Sequence, residues 1–161
     1  MNEETALLQL TGDASVQQRF LEMSHLYDAA IREIRTRLEI LDREFSILYA
    51  STQFHHHDSR LKSPRSILAK LERTGLPLTV EAAEEHLQDI AGVRIICNYI
   101  DDIYRLADLI TRQQDIELVE QVDYIRQPKP NGYRSLHLVV LVPVFLSSHM
   151  ELVPVAVQIR T

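Results

Sequence analysis

Three side chains that could grip a flat heteroaromatic ring recur at alternate positions in "KPNGYRSLHLVV", residues 129–140. In an extended strand alternate residues share a face, so Tyr133, Ser135 and His137 are expected on one side and Leu136, Leu138 and Val140 on the other. A ring for stacking beside a hydroxyl and an imidazole for hydrogen bonding would suit a nucleobase. Asn131 and Gly132 allow the chain to turn sharply at the mouth of such a platform. On the residues alone, an ordinary hairpin with a half-exposed tyrosine stays open.

A second group is cationic. "RLKSPRSILAKLER", residues 60–73, carries Arg60, Lys62, Arg65, Lys70 and Arg73 against Glu72 alone. Ser63 is placed to cap a helix that Pro64 opens, and its free N–H groups and positive dipole end follow Arg60 and Lys62 directly. Ser66 and Lys70 lie one turn apart, so a phosphate chain could run along that face. No glycine-rich Walker loop precedes it, and a capped surface helix is the alternative. In "LQDIAGVRIICNY" Asp89 stands before a strand and Arg94 within it, on the face of Ile96 and Asn98. A carboxylate at a strand mouth can hold Mg²⁺ while leaving room for phosphate oxygens, and an arginine there can stack on a purine or bind phosphate. His55, His56, His57 and Asp58 include the His-Asp pair of some metal-dependent phosphohydrolases. The other histidines, at 25, 86, 137 and 149, lack the context for further ligands, so a polar loop is the reading adopted.

These groups need elements to position them. Residues 15–49 place Phe20, Met23, Leu26, Tyr27, Ala30, Ile31, Ile34, Leu38, Leu41, Phe45 and Leu48 at helical spacing, which predicts one or two long scaffold helices. "STQFHHHDS", 51–59, reads as a polar connector. The helix opened by Ser63 and Pro64 buries Ile67, Leu68 and Leu71 and stops at Gly75. A short helix from Val80 to Leu87, the strand "GVRIICNY" and a helix capped by Asp101 follow. Strands are then expected at 117–126, 133–144 and 152–160. Helices first, strands later and one crossover helix predict an α+β fold with helices mainly on one face of the sheet.

The chain has 161 residues, 45% of them apolar, the size of one domain, here a tail at 1–14 and a folded unit at 15–161. No apolar run approaches the roughly 20 residues of a membrane helix, and the acidic N-terminus is unlike a secretion signal, so a cytoplasmic protein is expected. The lone Cys97, inside "VRIIC", reads as a core residue. A net charge of −6 argues against a surface adapted wholly to nucleic acid. A local basic site in an acidic chain suits a small anion better.

"RLKSPRSI", "DIAGVRIIC", "YIRQPKPNGYRSLHLVV", "PVFLS" and "VQIRT" occur in that order, and together they resemble the synthetase domain of the RelA/SpoT family, with small stand-alone alarmone synthetases of the RelQ type nearest. The resemblance implies a nucleotidyltransferase-like mixed sheet and a Mg²⁺-dependent GTP pyrophosphokinase of the stringent response. Such enzymes move the β,γ-diphosphate of ATP to the 3′-hydroxyl of GDP or GTP. It further implies that Arg60 and Arg94 sandwich adenine, that Lys62, Ser66 and Lys70 contact ATP phosphates, and that Asp89 ligates the metal. Tyr133 would stack on guanine, with Lys129, Asn131, Arg134, His137, Gln158 and Arg160 on the acceptor or phosphate side.

Two departures accompany the resemblance. Where the family has a glutamate before "VQIRT", this chain has Ala156, the position of the general base. Glu151 lies an odd number of residues away, so an undisturbed strand puts it on the opposite face. The resemblance also implies helices after "VQIRT", so the 15–161 unit is expected to be C-terminally incomplete and to form a homo-oligomer or meet a partner. The expectation is weak or absent synthesis with nucleotide binding retained. The alternatives are a silent guanine-nucleotide-binding or interaction module and, third, an RNA-binding oligomer.

Overall fold

Seven side chains, Phe20, Met23, Tyr27, Ala30, Ile31, Ile34 and Leu38, form the buried stripe of α1 (Ala14–Tyr49), each three or four positions, or one, from the next, as a helix lying on a sheet requires. The structure is a computed structural model that describes residues 14–52, 54 and 56–161. Most of the tail expected at 1–14 and His55 lie outside the described residues, and Ala14 already belongs to α1. The helix is single and unbroken. Beyond Leu38 its stripe leaves the core: Leu41 is partly buried, whereas Ile47, Leu48 and Tyr49 are exposed.

The remaining elements are β1 (His56–Leu61), α2 (Pro64–Arg73), α3 (Val80–His86), β2 (Ala91–Ile96), α4 (Ile100–Thr111), β3 (Glu117–Asp123), β4 (Leu136–Phe145) and β5 (Met150–Arg160). The five strands form one mixed sheet in the order β1-β2-β5-β4-β3, with β2 and β5 parallel and every other pair antiparallel. Alternation divides the sheet cleanly. Val93 and Ile95, Leu136, Leu138, Val140 and Val142, and Val153, Val155, Val157 and Ile159 are buried on the helix-covered face. Each such side chain contributes about 1.5–3 kcal/mol by leaving water. The opposite face carries Gly92, Arg94, His137, Val139, Ala156, Gln158 and Arg160, open or half-open. The α+β fold with helices on one face is as the sequence predicts.

The ends of α2 follow their sequence signals. Ser63 Oγ accepts the N–H of Ser66 at 3.1 Å, Pro64 opens the helix, and Gly75 takes φ +72° after it. Three expectations need correction. Residues 56–59 are not connector but the first part of β1, whose backbone pairs with β2 from His56↔Ile96 to Leu61↔Ala91. An edge strand held by its ladder tolerates polar side chains on both faces, which hides it from a hydrophobicity pattern. The helix α4 begins after Tyr99, so Asp101 lies in its first turn rather than capping it; there it and Asp102 favour the positive dipole end. Finally β4 starts at Leu136, not Tyr133. Ser135 is buried, with its Oγ donating to the Ile159 carbonyl at 3.2 Å, and so leaves the expected platform.

Cys97 is buried, and burial, with Asp102 adding to it, pushes the thiol up to about 12. That is the inert core residue expected of it.

Candidate functional site

Register lines up the open face in rows across the strands. One row runs Arg60, Gly92, Ala156, Val139 and Glu120; the next runs Asp58, Arg94, Gln158, His137 and Val122. Two clefts sit on these rows. The first, about 450 Å³, has Gly92 and Ala156 in its floor and Asp58, Arg60, Arg94 and Asp89 around it. The second, about 240 Å³, is bounded by Glu120, Tyr124, His137 and Val139. Asp89, Ala156 and Gln158 line both, so the two clefts meet at those residues.

Asp89 follows α3 and precedes β2, at the point where the chain enters the sheet. Lys62 Nζ lies 3.2 Å and Lys70 Nζ 3.3 Å from its carboxylate. The Lys62 backbone N–H donates to the Ile90 carbonyl at 2.8 Å, which ties the end of β1 to the start of β2 and sets the ammonium beside Asp89. Burial alone would push the Asp89 carboxyl up; Lys62, then Lys70, outweigh it and hold the group below its usual value. One ionised carboxylate flanked by two ammonium groups, Lys62 just before α2 and Lys70 in its last turn, is an arrangement that could receive a phosphate chain and its counter-cation. Ser66 is at the N-terminal end of α2, where Ser63 Oγ donates to its Oγ at 3.0 Å.

Arg60 and Arg94 rise from neighbouring strands around the first cleft, as their paired positions imply. Arg94 has a partner the sequence did not announce: its Nη2 donates to Asp58 Oδ2 at 2.9 Å. Among the described residues no three His, Cys, Asp or Glu side chains converge as ligands, and His57 packs edge-on against Phe54.

Beside the second cleft, whose lining does not include Tyr133, Tyr133 O–H and His137 Nε2 are 2.8 Å apart, and Tyr133 O–H donates to Gln158 Oε1 at 3.4 Å. Gly132 at φ +85° and Asn131, whose Oδ1 accepts the Tyr133 N–H at 3.0 Å, make the turn that delivers the ring. Lys129 Nζ sits 5.3 Å and Arg160 Cζ 5.6 Å from the centre of that ring, within cation–π range. Burial, then Lys129, lowers the pKa of His137, which favours the neutral imidazole. Arg134 is exposed and lines neither cleft.

Tyr124 belongs to this cluster although its sequence context did not single it out. Its ring meets His137 edge-on at 5.1 Å and Tyr133 at 6.2 Å. Asp123 holds it there by accepting from Ile125 N, Arg126 N and Tyr104 O–H at 2.9, 3.0 and 2.7 Å. Glu151, by contrast, pairs across the sheet with Val144 and bonds His149 at 2.8 Å, away from both clefts. The odd-number argument against it holds.

The profile of the family described as "Region found in RelA / SpoT proteins" matches residues 59–161. The chain is 42% identical over 136 residues to the GTP pyrophosphokinase YwaC of Bacillus subtilis, covering 84% of this chain and 65% of YwaC. It is 36% identical over 135 residues to the GTP pyrophosphokinase YjbM of the same organism, covering 84% of this chain and 63% of YjbM. It therefore spans less than two-thirds of either relative. The crystal structure of small alarmone synthetase 1 from Bacillus subtilis, bound to its product pppGpp, superposes with a TM-score of 0.80 at 34% identity, covering 89% of this chain and 73% of that one. With motifs, sheet and paired clefts in agreement, the chain belongs to the RelA/SpoT family.

Proposed function

We propose that the chain is a GTP pyrophosphokinase domain whose own turnover is impaired at Ala156. The observation that carries this is the meeting of two clefts at Asp89, Ala156 and Gln158. A transfer between two nucleotides needs adjoining sites with charge neutralisation where the phosphates cross. The first cleft takes ATP, its adenine between Arg60 and Arg94 and its phosphates toward Lys62, Lys70, Ser66 and the start of α2. The second takes GDP or GTP, guanine on Tyr133 at its edge, with His137, Gln158, Lys129, Arg160 and Asn131 around the base and phosphates.

Asp89 is the carboxylate that would hold Mg²⁺. A single ionised carboxylate beside a phosphate lane suits this cation, which prefers oxygen ligands and binds through few protein groups. When bound, the cation supplies neutralisation of the phosphate charge. Lys62 and Lys70, paired to Asp89 in the free chain, turn to the phosphates when the nucleotide arrives. The open face then holds the acceptor 3′-hydroxyl over Ala156, where a methyl group cannot take its proton. Loss of a general base costs about 10²- to 10⁴-fold in rate.

The alternative, a silent guanine-nucleotide-binding or interaction module, is favoured by the same Ala156. Self-association fits the exposed Ile40, Ile47, Leu48 and Tyr49 on the projecting end of α1; RNA binding would use the same arginine and tyrosine groups, and the cytoplasm is the compartment that supplies these substrates. Transfer of label from γ-³²P-ATP to GDP with Mg²⁺, comparing the chain with Ala156→Glu, tests the proposal. The glutamate variant is expected to be faster by about 10²- to 10⁴-fold. If it binds both nucleotides and yields no product, the silent module is the better reading.

A further inference from the structure

Glu120 reaches the second cleft through one irregularity in β3. Leu118 pairs with Val140, yet Glu120 pairs with Val139, because the register shifts between them at Val119. In a regular ladder position 120 would pair with Leu138, whose side chain is buried under the helices. The bulge turns Glu120 instead onto the open face, the kind of re-aiming that bulges provide.

That places a carboxylate in the row of Ala156. Glu120 is opposite Val139, and Val139 is opposite Ala156. Two strand spacings put the Cα atoms of Glu120 and Ala156 about 10 Å apart. An extended glutamate spans roughly 5 Å of that, and one water accepting and donating bonds of about 2.8 Å closes the rest. The one side chain between them in this row, Val139, is short. Glu120 and Ala156 line the same 240 Å³ cleft, with Asp89, and Glu120 is exposed with no hydrogen bond or ion pair among the described residues.

We infer that Glu120 is a catalytic residue that accepts the proton of the acceptor 3′-hydroxyl in this chain; this rests on the synthetase reading above. The 3′-oxygen forms a bond to the β-phosphorus of ATP. The bond from that phosphorus to the oxygen bridging the α-phosphate breaks, its electron pair leaving with AMP. The hydroxyl proton passes through one water to the Glu120 carboxylate, which returns it to solvent. A glutamate that merely guarded the exposed edge of β3 against pairing would affect aggregation and leave the rate alone.

The test is label transfer from γ-³²P-ATP to GDP with Mg²⁺ for the chain, Glu120→Gln, Glu120→Asp, and Glu120→Gln combined with Ala156→Glu. Calorimetry measures the affinity for GDP and for a non-hydrolysable ATP analogue in each. Glu120→Gln is expected to lower kcat by at least about tenfold and to flatten the acid limb of the pH–rate profile, with both affinities unchanged. Glu120→Asp, with its charge one methylene further back, falls between. With Ala156→Glu present, Glu120→Gln changes kcat by less than about threefold. A parent chain that binds both nucleotides but makes no product, or a Glu120→Gln variant with parental kcat and pH profile, overturns the inference and leaves the synthetase site standing. Absence of nucleotide binding by the parent overturns both.

Discussion

Lys62→Met separates what the cationic lane does for the fold from what it does for a nucleotide. The substitution keeps an aliphatic stem and removes one ammonium from a side chain only 10% exposed, 3.2 Å from Asp89. In the free chain the loss is modest. Asp89 is half-exposed and retains Lys70 at 3.3 Å, so the pair contributes no more than about 1 kcal/mol, a melting shift of roughly 2–4 °C for a chain of this size. If Lys62 turns to the phosphates as proposed, the same ammonium makes a charge-assisted contact worth about 1.5–3 kcal/mol, or about 10- to 150-fold in affinity. Titration calorimetry with a non-hydrolysable ATP analogue, beside thermal melts, measures both. The acid dependence follows from Asp89. Its carboxyl titrates below the ordinary value when folded, so the stability it contributes is present above the ordinary carboxylate range and lost as pH falls through the folded value. Parent and Lys62→Met should therefore differ most at neutral pH and converge in acid. An analogue affinity within threefold of the parent would refute the assignment of Lys62 to the phosphates.

Two further outcomes test the second cleft and the floor of the first. Burial, then Lys129, lowers the pKa of His137, so its NMR titration midpoint should lie below about 6.5 and Lys129→Ala should recover only the smaller part of the shift. The stability linked to this imidazole is present above the unfolded value and lost as pH falls through the folded one, and a midpoint at or above about 6.5 would contradict the packing described. Gly92 has room for a Cβ, whose nearest neighbours would be the Arg60 and Ala156 carbonyls at 3.8 and 3.9 Å. Gly92→Leu should therefore fold, fill the first cleft and weaken the ATP analogue by more than about tenfold while GDP binding stays within about threefold; equal losses would contradict separate donor and acceptor clefts.

The parts of the fold legible in sequence are those where local chemistry and burial agree. Ser63, Pro64 and Gly75 mark the ends of α2 because capping and backbone freedom act within a turn. The alternation of β5 is legible because one face is wholly buried and the other open. β1 was hidden for the opposite reason: "HHDSRL" has no apolar alternation, and its strand exists through backbone pairing with β2, thirty to forty residues away in the chain. Tyr133 was legible as a ring at a turn. The start of its strand was not: the ladder begins at Leu136, three residues later, and Ser135 bonds the Ile159 carbonyl through its side chain instead.

The site divides along the same line. Arg60, Asp89, Arg94, His137 and Gln158 line the two clefts, and Tyr133 bonds the last two from beside them, because each is set by its own strand or turn, and alternation within a strand is a property of sequence. Asp58, Tyr124 and Glu120 depend on neighbours in other strands. Asp58 acquires its role from the Asp58↔Arg94 pairing, and Tyr124 from the Asp123 and Tyr104 contact that fixes its turn. Glu120 depends on a single extra residue in β3. Because a register slip of one residue exchanges the two faces of a strand, the bulge at Val119 decides whether Glu120 faces the side of Leu138 or shares the row of Ala156. Composition and periodicity carry no trace of that choice; the pairing of Glu120 with Val139 does.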